Sequence, residues 1–189
     1  MTKDRSLFQQ AWFVSSIDAA AKRWAEAFGA GPFFMVRHHR TEEFSYRGAA
    51  TEAAVSYAFG YLGDTMIQFI EQHDDAPSIY RDMYGPGEEG FHHVAYLVSD
   101  FAAERERWIA LGYPLACELY ADGVNAAYFD TRPLNGGFTE IHGDPMHIMG
   151  LFGLWHRAHL ARDASTPATI EQGAITDYAR APLLPLTDA

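Results

Sequence analysis

The segment Gly90-Phe91-His92-His93-Val94-Ala95-Tyr96-Leu97-Val98-Ser99-Asp100 decides the fold of this protein. Its β-branched and aromatic residues predict a strand, and Ser99-Asp100 predicts the cap of a following helix. The helix continues over residues 101–111 and ends at Gly112-Tyr113-Pro114. Further strands are predicted at residues 115–120, 125–130 and 138–142. This part of the chain therefore has the predicted order strand, helix, strand, strand, strand.

The same order of elements occurs earlier in the chain. An apolar run at residues 11–14 precedes Ser16, a predicted N-cap, and an alanine-rich helix that ends before Gly29. Strands are predicted at 33–38, 55–62 and 65–71, with a polar loop at 39–50. A shift of 84 positions (98 − 14) places Val14 on Val98, Ser16 on Asp100 and Trp24 on Trp108. We therefore predict two copies of a βαβββ module.

Composition restricts the class of protein. The 189 residues include 25 acidic and 14 basic side chains, and the formal charge of −11 argues against nucleic-acid binding. Cys117 is the only cysteine, which excludes an intramolecular disulfide and a thiolate zinc site. No apolar run reaches the ~18 residues of a membrane helix, and residues 1–10 hold no signal-peptide core. We expect a cytoplasmic protein without nucleic-acid or membrane partners.

Four polar residues recur at equivalent positions of the predicted strands. Alternate residues of a strand share a face, and each of these four lies on a face that is otherwise largely apolar. They are Gln9, Gln68, His93 and Glu140. Burying such groups without partners is costly, and a cation between them would satisfy all four.

The chain resembles the vicinal oxygen chelate superfamily, which includes glyoxalase I, methylmalonyl-CoA epimerase, bleomycin-resistance proteins and extradiol dioxygenases. The resemblance covers residues 9–145 and is strongest in the segment 90–100 and in Phe138-Thr139-Glu140-Ile141-His142. It implies an α+β fold in which two βαβββ modules form a curved eight-stranded mixed sheet with a central cleft. A C-terminal helical extension follows. The residue pattern itself predicts the domains: a first module at residues 1–72, a linker at 73–90, a second module at 91–148, and a C-terminal helix with an extended arm at 149–189.

The resemblance also implies a metal site. By position, the ligands are Gln9, Gln68, His93 and Glu140, with Gln9 standing where the epimerase-like branch commonly has His. Three oxygens and one nitrogen suit Mg²⁺, Mn²⁺ or Co²⁺, although Ni²⁺, Zn²⁺ and Fe²⁺ stay open as the divalent cofactor. The alternative is a metal-free site in which His93 and Glu140 form a hydrogen bond.

With a metal, the resemblance implies an isomerase, epimerase or lyase of the glyoxalase type that stabilises an enolate or oxyanion of a small carbonyl substrate. Glu140 and His142 are the candidate catalytic residues, although His142 also fits a hydrogen-bonded core histidine. His92, on the opposite face from His93, is predicted to be a packed or surface residue.

Two other functions and a set of partners remain open. One alternative is a metal-free binding or resistance protein, and the other is an extradiol dioxygenase, whose site resembles two histidines and one carboxylate. Strand aromatics predict an aromatic or acyl carbonyl compound as the small-molecule partner. The apolar stretch 149–155 needs cover, so we also predict a homodimer.

Overall fold

The computed structural model describes residues 7–39 and 41–172. Its helices are α1 (Ile17–Phe28), α2 (Phe101–Ala110), α3 (Arg132–Asn135) and α4 (Met146–Leu160). Its strands are β1 (Leu7–Phe13), β2 (Phe33–Val36), β3 (Glu43–Tyr46), β4 (Ala49–Ala50), β5 (Val55–Leu62), β6 (Thr65–Gln72), β7 (Gly90–Val98), β8 (Leu115–Ala121), β9 (Val124–Phe129), β10 (Phe138–Gly143) and β11 (Thr169–Gln172).

All eleven described strands belong to one mixed sheet, in the order β11-β2-β5-β6-β1-β7-β10-β9-β8-β3-β4. The strands β2, β5, β6 and β1 form one half, and β8, β9, β10 and β7 form the other in mirrored order. The halves meet where β1 and β7 pair antiparallel, and each of these two pairs parallel with the last strand of its own module. The α+β class and the repeated module are therefore confirmed.

The predicted count of eight strands is wrong by three. Two of the additional strands, β3 and β4, lie in residues 39–50, which the sequence predicted to be a loop. They form a hairpin whose turn holds Arg47 and Gly48 at φ values of 50° and 82°. The third, β11, pairs with β2, while β3 pairs with β8. Both β2 and β8 would otherwise expose unpaired backbone groups at the sheet edge, and this tertiary need outweighs the polar local sequence.

Helices α1 and α2 cover the outer face of the sheet, one in each half. Ser16 caps α1 as predicted, since its hydroxyl accepts from the Ala19 amide at 3.3 Å. Asp100 caps α2 in the same way, accepting from the Ala103 amide at 3.0 Å. The repeated tryptophans both contact the sheet. The inner faces of the two halves are left to form the largest apolar core.

Helix α4 lies against this inner face. Its buried residues Ile148, Leu151, Phe152 and Trp155 belong to the same apolar cluster as the strand aromatics. The apolar stretch 149–155 is thus largely covered within the chain, which removes the reason for which the sequence predicted a dimer. Among the described helices, none is long and apolar enough to cross a membrane. The predicted arm beyond residue 172 lies outside the described residues.

Candidate functional site

The four central strands carry the four polar residues that the sequence singled out. Gln68 and His93 both pair with Ala11, so they flank the same small residue of β1. Gln9 and Glu140 both pair with Ala95 of β7. The strand register therefore brings two glutamines, one histidine and one glutamate to the centre of the sheet from both modules.

The four side chains, which we call the central tetrad, are in contact and nearly inaccessible to water. Gln9 Nε2 donates to Gln68 Oε1 at 2.7 Å and lies 3.4 Å from His93 Nε2. His93 Nε2 is 3.0 Å from Glu140 Oε2. Their exposed fractions are 3% for Gln9, 5% for Gln68, 0% for His93 and 3% for Glu140. All four predicted metal ligands therefore meet at one buried point.

The tautomer of His93 follows from its neighbours. His92 Nε2 lies 3.1 Å from the carbonyl oxygen of Ile79, so this nitrogen carries a proton and donates it. His92 Nδ1 must then accept from His93 Nδ1, which is 2.8 Å away. This assignment leaves His93 Nε2 unprotonated, so it can accept from Gln9 Nε2 at 3.4 Å and has no proton to offer Glu140.

Glu140 Oε2 has no hydrogen-bond donor although it is buried. It lies beside the unprotonated His93 Nε2, so two acceptors face each other at 3.0 Å. Such an arrangement requires either a proton on Glu140 or a cation between the two atoms. The sequence analysis predicted His92 to be a packed or surface residue and missed that it sets the tautomer of His93. Nothing in the local sequence distinguishes such a histidine from one that only packs.

Burial shifts the pKa values of Glu140 and His93 in opposite directions, and each shift favours the uncharged form of the side chain. It raises the pKa of Glu140 to about 7, and the nearby His142 and a hydrogen bond from Tyr128 only partly oppose this. It lowers the pKa of His93 to about 3, so the imidazole is neutral at physiological pH. The neutral imidazole is the ligand form that a divalent cation requires, whereas Glu140 would have to give up its proton to bind one.

The donor set fits a hard divalent cation. Among residues 7–39 and 41–172, no three His, Cys, Asp or Glu side chains gather into a metal cluster, because two members of the tetrad are amides. Gln68 Oε1, His93 Nε2 and Glu140 Oε2 already face the centre. Gln9 directs Nε2 there, and a half-turn of its amide would present the oxygen instead. Carboxylate and amide oxygens are the usual ligands of Mg²⁺ and Mn²⁺.

His142, the second candidate catalytic residue, lies on the same face of β10 as Glu140. Its Nδ1 is 2.6 Å from the Gly143 carbonyl oxygen, which fixes the proton there and leaves Nε2 as the proton-accepting nitrogen. The ring packs between Phe8 and Phe152, with centroid distances of 6.0 and 5.6 Å. It is half-buried and lines the same cavity as the tetrad.

This inner cavity has an apolar wall and a polar floor. Gln9, Gln68 and Glu140 form the floor, and residues of helix α4 line part of the wall. The cavity offers about 80 Å³ to water-sized molecules, room for several waters or one compact ligand group. Its apolar wall comprises Phe59, Leu119, Val124, Ile148, Leu151, Phe152 and Trp155. The sequence predicted the helix but not its position over the site.

A larger outer groove of about 830 Å³ adjoins the inner cavity. His39, Leu119 and Ala126 belong to the walls of both spaces. The hairpin β3–β4, which the sequence missed, supplies much of the groove's other side. A ligand can therefore place one end in the inner cavity and the remainder in the outer groove.

Comparison with known families identifies the fold. The sequence profile of the glyoxalase/bleomycin resistance protein/dioxygenase superfamily matches residues 8–129, more than half of the chain. The chain belongs to this superfamily. The resemblance inferred from the segment 90–100 is thereby confirmed. The matched part of the chain contains Gln9, Gln68 and His93, whereas Glu140 and helix α4 lie after its end.

Solved structures of the superfamily fold are similar to this chain. A hypothetical protein from Bacillus halodurans C-125 is 17% identical, with a TM-score of 0.57 over 76% of this chain and 96% of its own. Methylmalonyl-CoA epimerase from Mycobacterium tuberculosis is 16% identical, with a TM-score of 0.55 over 76% and 90%. A Streptomyces coelicolor methylmalonyl-CoA epimerase variant in complex with 2-nitronate-propionyl-CoA is 16% identical, with a TM-score of 0.51 over 75% and 95%. At these identities the similarity concerns the fold alone, and no curated protein sequence matches the chain.

Proposed function

We propose that this protein is a divalent-metal-dependent isomerase, epimerase or lyase that acts on a small carbonyl compound. One observation carries the proposal: the buried atoms Glu140 Oε2 and His93 Nε2 face each other at 3.0 Å beside the inner cavity, with no proton donor between them. Superfamily membership supports it, since enzymes are among the members that the family's name describes.

The tetrad would hold the cation through Gln9, Gln68, His93 and Glu140. When bound, a divalent cation supplies Lewis-acid stabilisation to two neighbouring oxygens of the substrate as negative charge develops on them. The single carboxylate leaves a net positive charge at such a centre, which favours an enolate or oxyanion.

Glu140 and His142 are the side chains that would transfer the proton. Both line the inner cavity, two residues apart on one face of β10. Glu140 without a cation has a pKa raised to about 7, and His142 offers Nε2 to a proton. One of the two removes the proton from the carbon next to the carbonyl, and either returns it to that carbon or delivers it to a neighbouring atom. The apolar wall offers water few hydrogen-bond partners, which limits loss of the proton to solvent.

The size and walls of the inner cavity support a compact apolar or aromatic carbonyl group as the reacting part. Phe59, Phe152 and Trp155 offer flat apolar surfaces around the tetrad. The homodimer and the cytoplasmic location stay predictions.

Metal analysis of protein purified without chelator tests the proposal. We expect close to one equivalent of a divalent cation, which is lost in His93→Ala and reduced in Gln9→Ala. His156→Ala, a histidine on α4 that pairs with Asp64 at 3.2 Å, is the matched control and keeps the metal. Solvent deuterium should enter the carbon next to the carbonyl of an enolisable substrate only with the metal-loaded protein.

The metal-free binding protein is supported by one observation, the apolar enclosure of the inner cavity by α4. It makes a different prediction for the same variants. Absence of metal, together with ligand binding that survives His93→Ala, would contradict the enzymatic proposal and favour the binding protein.

A further inference from the structure

We propose that the substrate carries no negative charge on the part that extends from the inner cavity, so acyl-coenzyme A thioesters are not its substrates. This inference rests on the proposed function because it concerns the same site. It separates the chain from the structurally similar epimerases, one of which is solved with a coenzyme A derivative bound.

The first observation is the charge of the walls. Among the described residues, neither the inner cavity nor the outer groove is lined by a lysine or an arginine. Six carboxylates line the two spaces instead. They are Glu42, Glu43, Glu52, Glu118, Asp122 and Glu140.

Some of these charges are compensated, but an excess of negative charge remains. Glu118 pairs with Arg105 at 2.5 Å, which neutralises it. Glu42, Glu43 and Glu52 are exposed along the outer groove. Burial lowers the pKa of His39, so this residue at the junction of the two spaces is uncharged at neutral pH.

One further cation lies nearby in the sequence. Arg40 stands between His39 and Thr41 but is outside the described residues. One positive charge is fewer than the three exposed carboxylates, Glu42, Glu43 and Glu52, that line the groove. The overall charge of −11 acts in the same direction on an approaching anion.

The second observation, the unpartnered oxygen of Glu140 in a small cavity, does not depend on Glu42, Glu43 and Glu52. It determines the direction in which a ligand extends. The unpartnered Glu140 Oε2, in a residue that is 3% exposed, marks the reacting end of the ligand in the inner cavity. The space of about 80 Å³ admits only a compact group. Any longer substrate therefore extends past His39 into the outer groove, where it meets Glu42, Glu43 and Glu52. Three phosphate groups, as in coenzyme A, would find no described Lys or Arg there.

Three thioesters with the same enolisable head test the inference on the full-length, Mg²⁺-loaded protein. They are S-acetoacetyl-coenzyme A, S-acetoacetyl-N-acetylcysteamine and S-acetoacetylthiocholine, with anionic, neutral and cationic tails. Isothermal titration calorimetry measures each Kd. We expect the coenzyme A ester to bind at least about tenfold more weakly than the other two. Raising the salt concentration should narrow this difference, because ions screen the repulsion.

A charge-neutralised variant provides the structural control. Glu42→Gln, Glu43→Gln and Glu52→Gln together should strengthen binding of the coenzyme A ester and leave the neutral ester unchanged. The matched control neutralises three exposed glutamates elsewhere, Glu26, Glu88 and Glu106, and should change neither Kd.

The failures of the two proposals are distinguishable. If the coenzyme A ester binds most tightly and added salt weakens it, the inferred substrate class is wrong while the proposed function stands. If none of the three esters binds, or if binding is unchanged in His93→Ala, the proposed function itself fails and the inference falls with it.

Discussion

His93 Nε2 and Glu140 Oε2 face each other at 3.0 Å in the centre of the sheet, and neither atom carries a hydrogen for the other when the glutamate is ionised. Ile79 and His92 enforce this arrangement by holding the proton of His93 on its other nitrogen. The ionised pair is therefore unfavourable on its own and becomes favourable with a cation. Five predictions concern this pair and the helix above it.

Ionisation of Glu140 should destabilise the metal-free protein as the pH rises. The pKa of Glu140 is raised from 4.5 to about 7 in the folded state, so between these values this carboxyl binds more proton in the folded protein than in the unfolded chain. Its contribution to stability then falls with increasing pH, by at most roughly 3 kcal/mol, whereas the lowered pKa of His93 acts in the opposite direction below pH 6.5. Glu140→Gln removes this loss, and chelated wild type and variant should differ more in Tm at pH 8 than at pH 5. An equal difference at both pH values would contradict the raised pKa.

Divalent cations should stabilise the protein more at high pH than at low pH. The cation competes with the proton on Glu140, which is largely removed above pH 7. A cation at 100 times its Kd adds about 2.7 kcal/mol to the free energy of unfolding. Thermal denaturation with added Mn²⁺ or Mg²⁺ measures this, and His93→Ala should respond little at either pH.

The metal-free protein should contain an unusual pair of histidine tautomers. We expect His92 to be protonated at Nε2 and His93 at Nδ1, which ¹⁵N-detected imidazole NMR distinguishes directly. A proton found on His93 Nε2 would contradict the tautomer assignment, and with it the two facing acceptors at His93 and Glu140.

The role of His92 can also be tested by substitution. His92→Gln keeps an acceptor toward His93 and a donor toward Ile79, whereas His92→Phe keeps only the ring packing against Phe138. The Phe variant should weaken metal affinity by about 10- to 100-fold, and the Gln variant should weaken it less. Equal affinity in the two variants would show that packing alone matters.

Helix α4 should limit the size of the reacting group. Phe152 is 8% exposed, stacks on Phe8 and contacts the tilted ring of Trp155, so Phe152→Ala should lower the free energy of unfolding by about 3 kcal/mol and enlarge the inner cavity. Bulkier acyl heads should then bind more tightly relative to acetoacetyl. Leu160→Ala, at a position that is 65% exposed, is the control and should change neither property.

The local sequence determined the repeat, its caps and the candidate ligands. Strand periodicity, Ser16, Asp100 and the polar residues on apolar faces are short-range signals, and each predicts its own element independently of the rest. A shift of 84 positions (93 − 9) also relates Gln9 to His93, so the repeat alone predicts that these two residues occupy corresponding points of the two modules.

The tertiary structure decided what depends on partners distant in the chain. The hairpin β3–β4 forms because β8 offers an unpaired edge. The polar sequence of the hairpin does not by itself predict these strands. Helix α4 covers the tetrad because the inner faces of two modules leave an apolar surface there. His93 Nε2 is unprotonated because His92 donates to the carbonyl oxygen of Ile79, a backbone atom whose position no side-chain pattern encodes. Residue types thus fixed which chemistry was available, and long-range packing fixed where it is enclosed and how its protons lie.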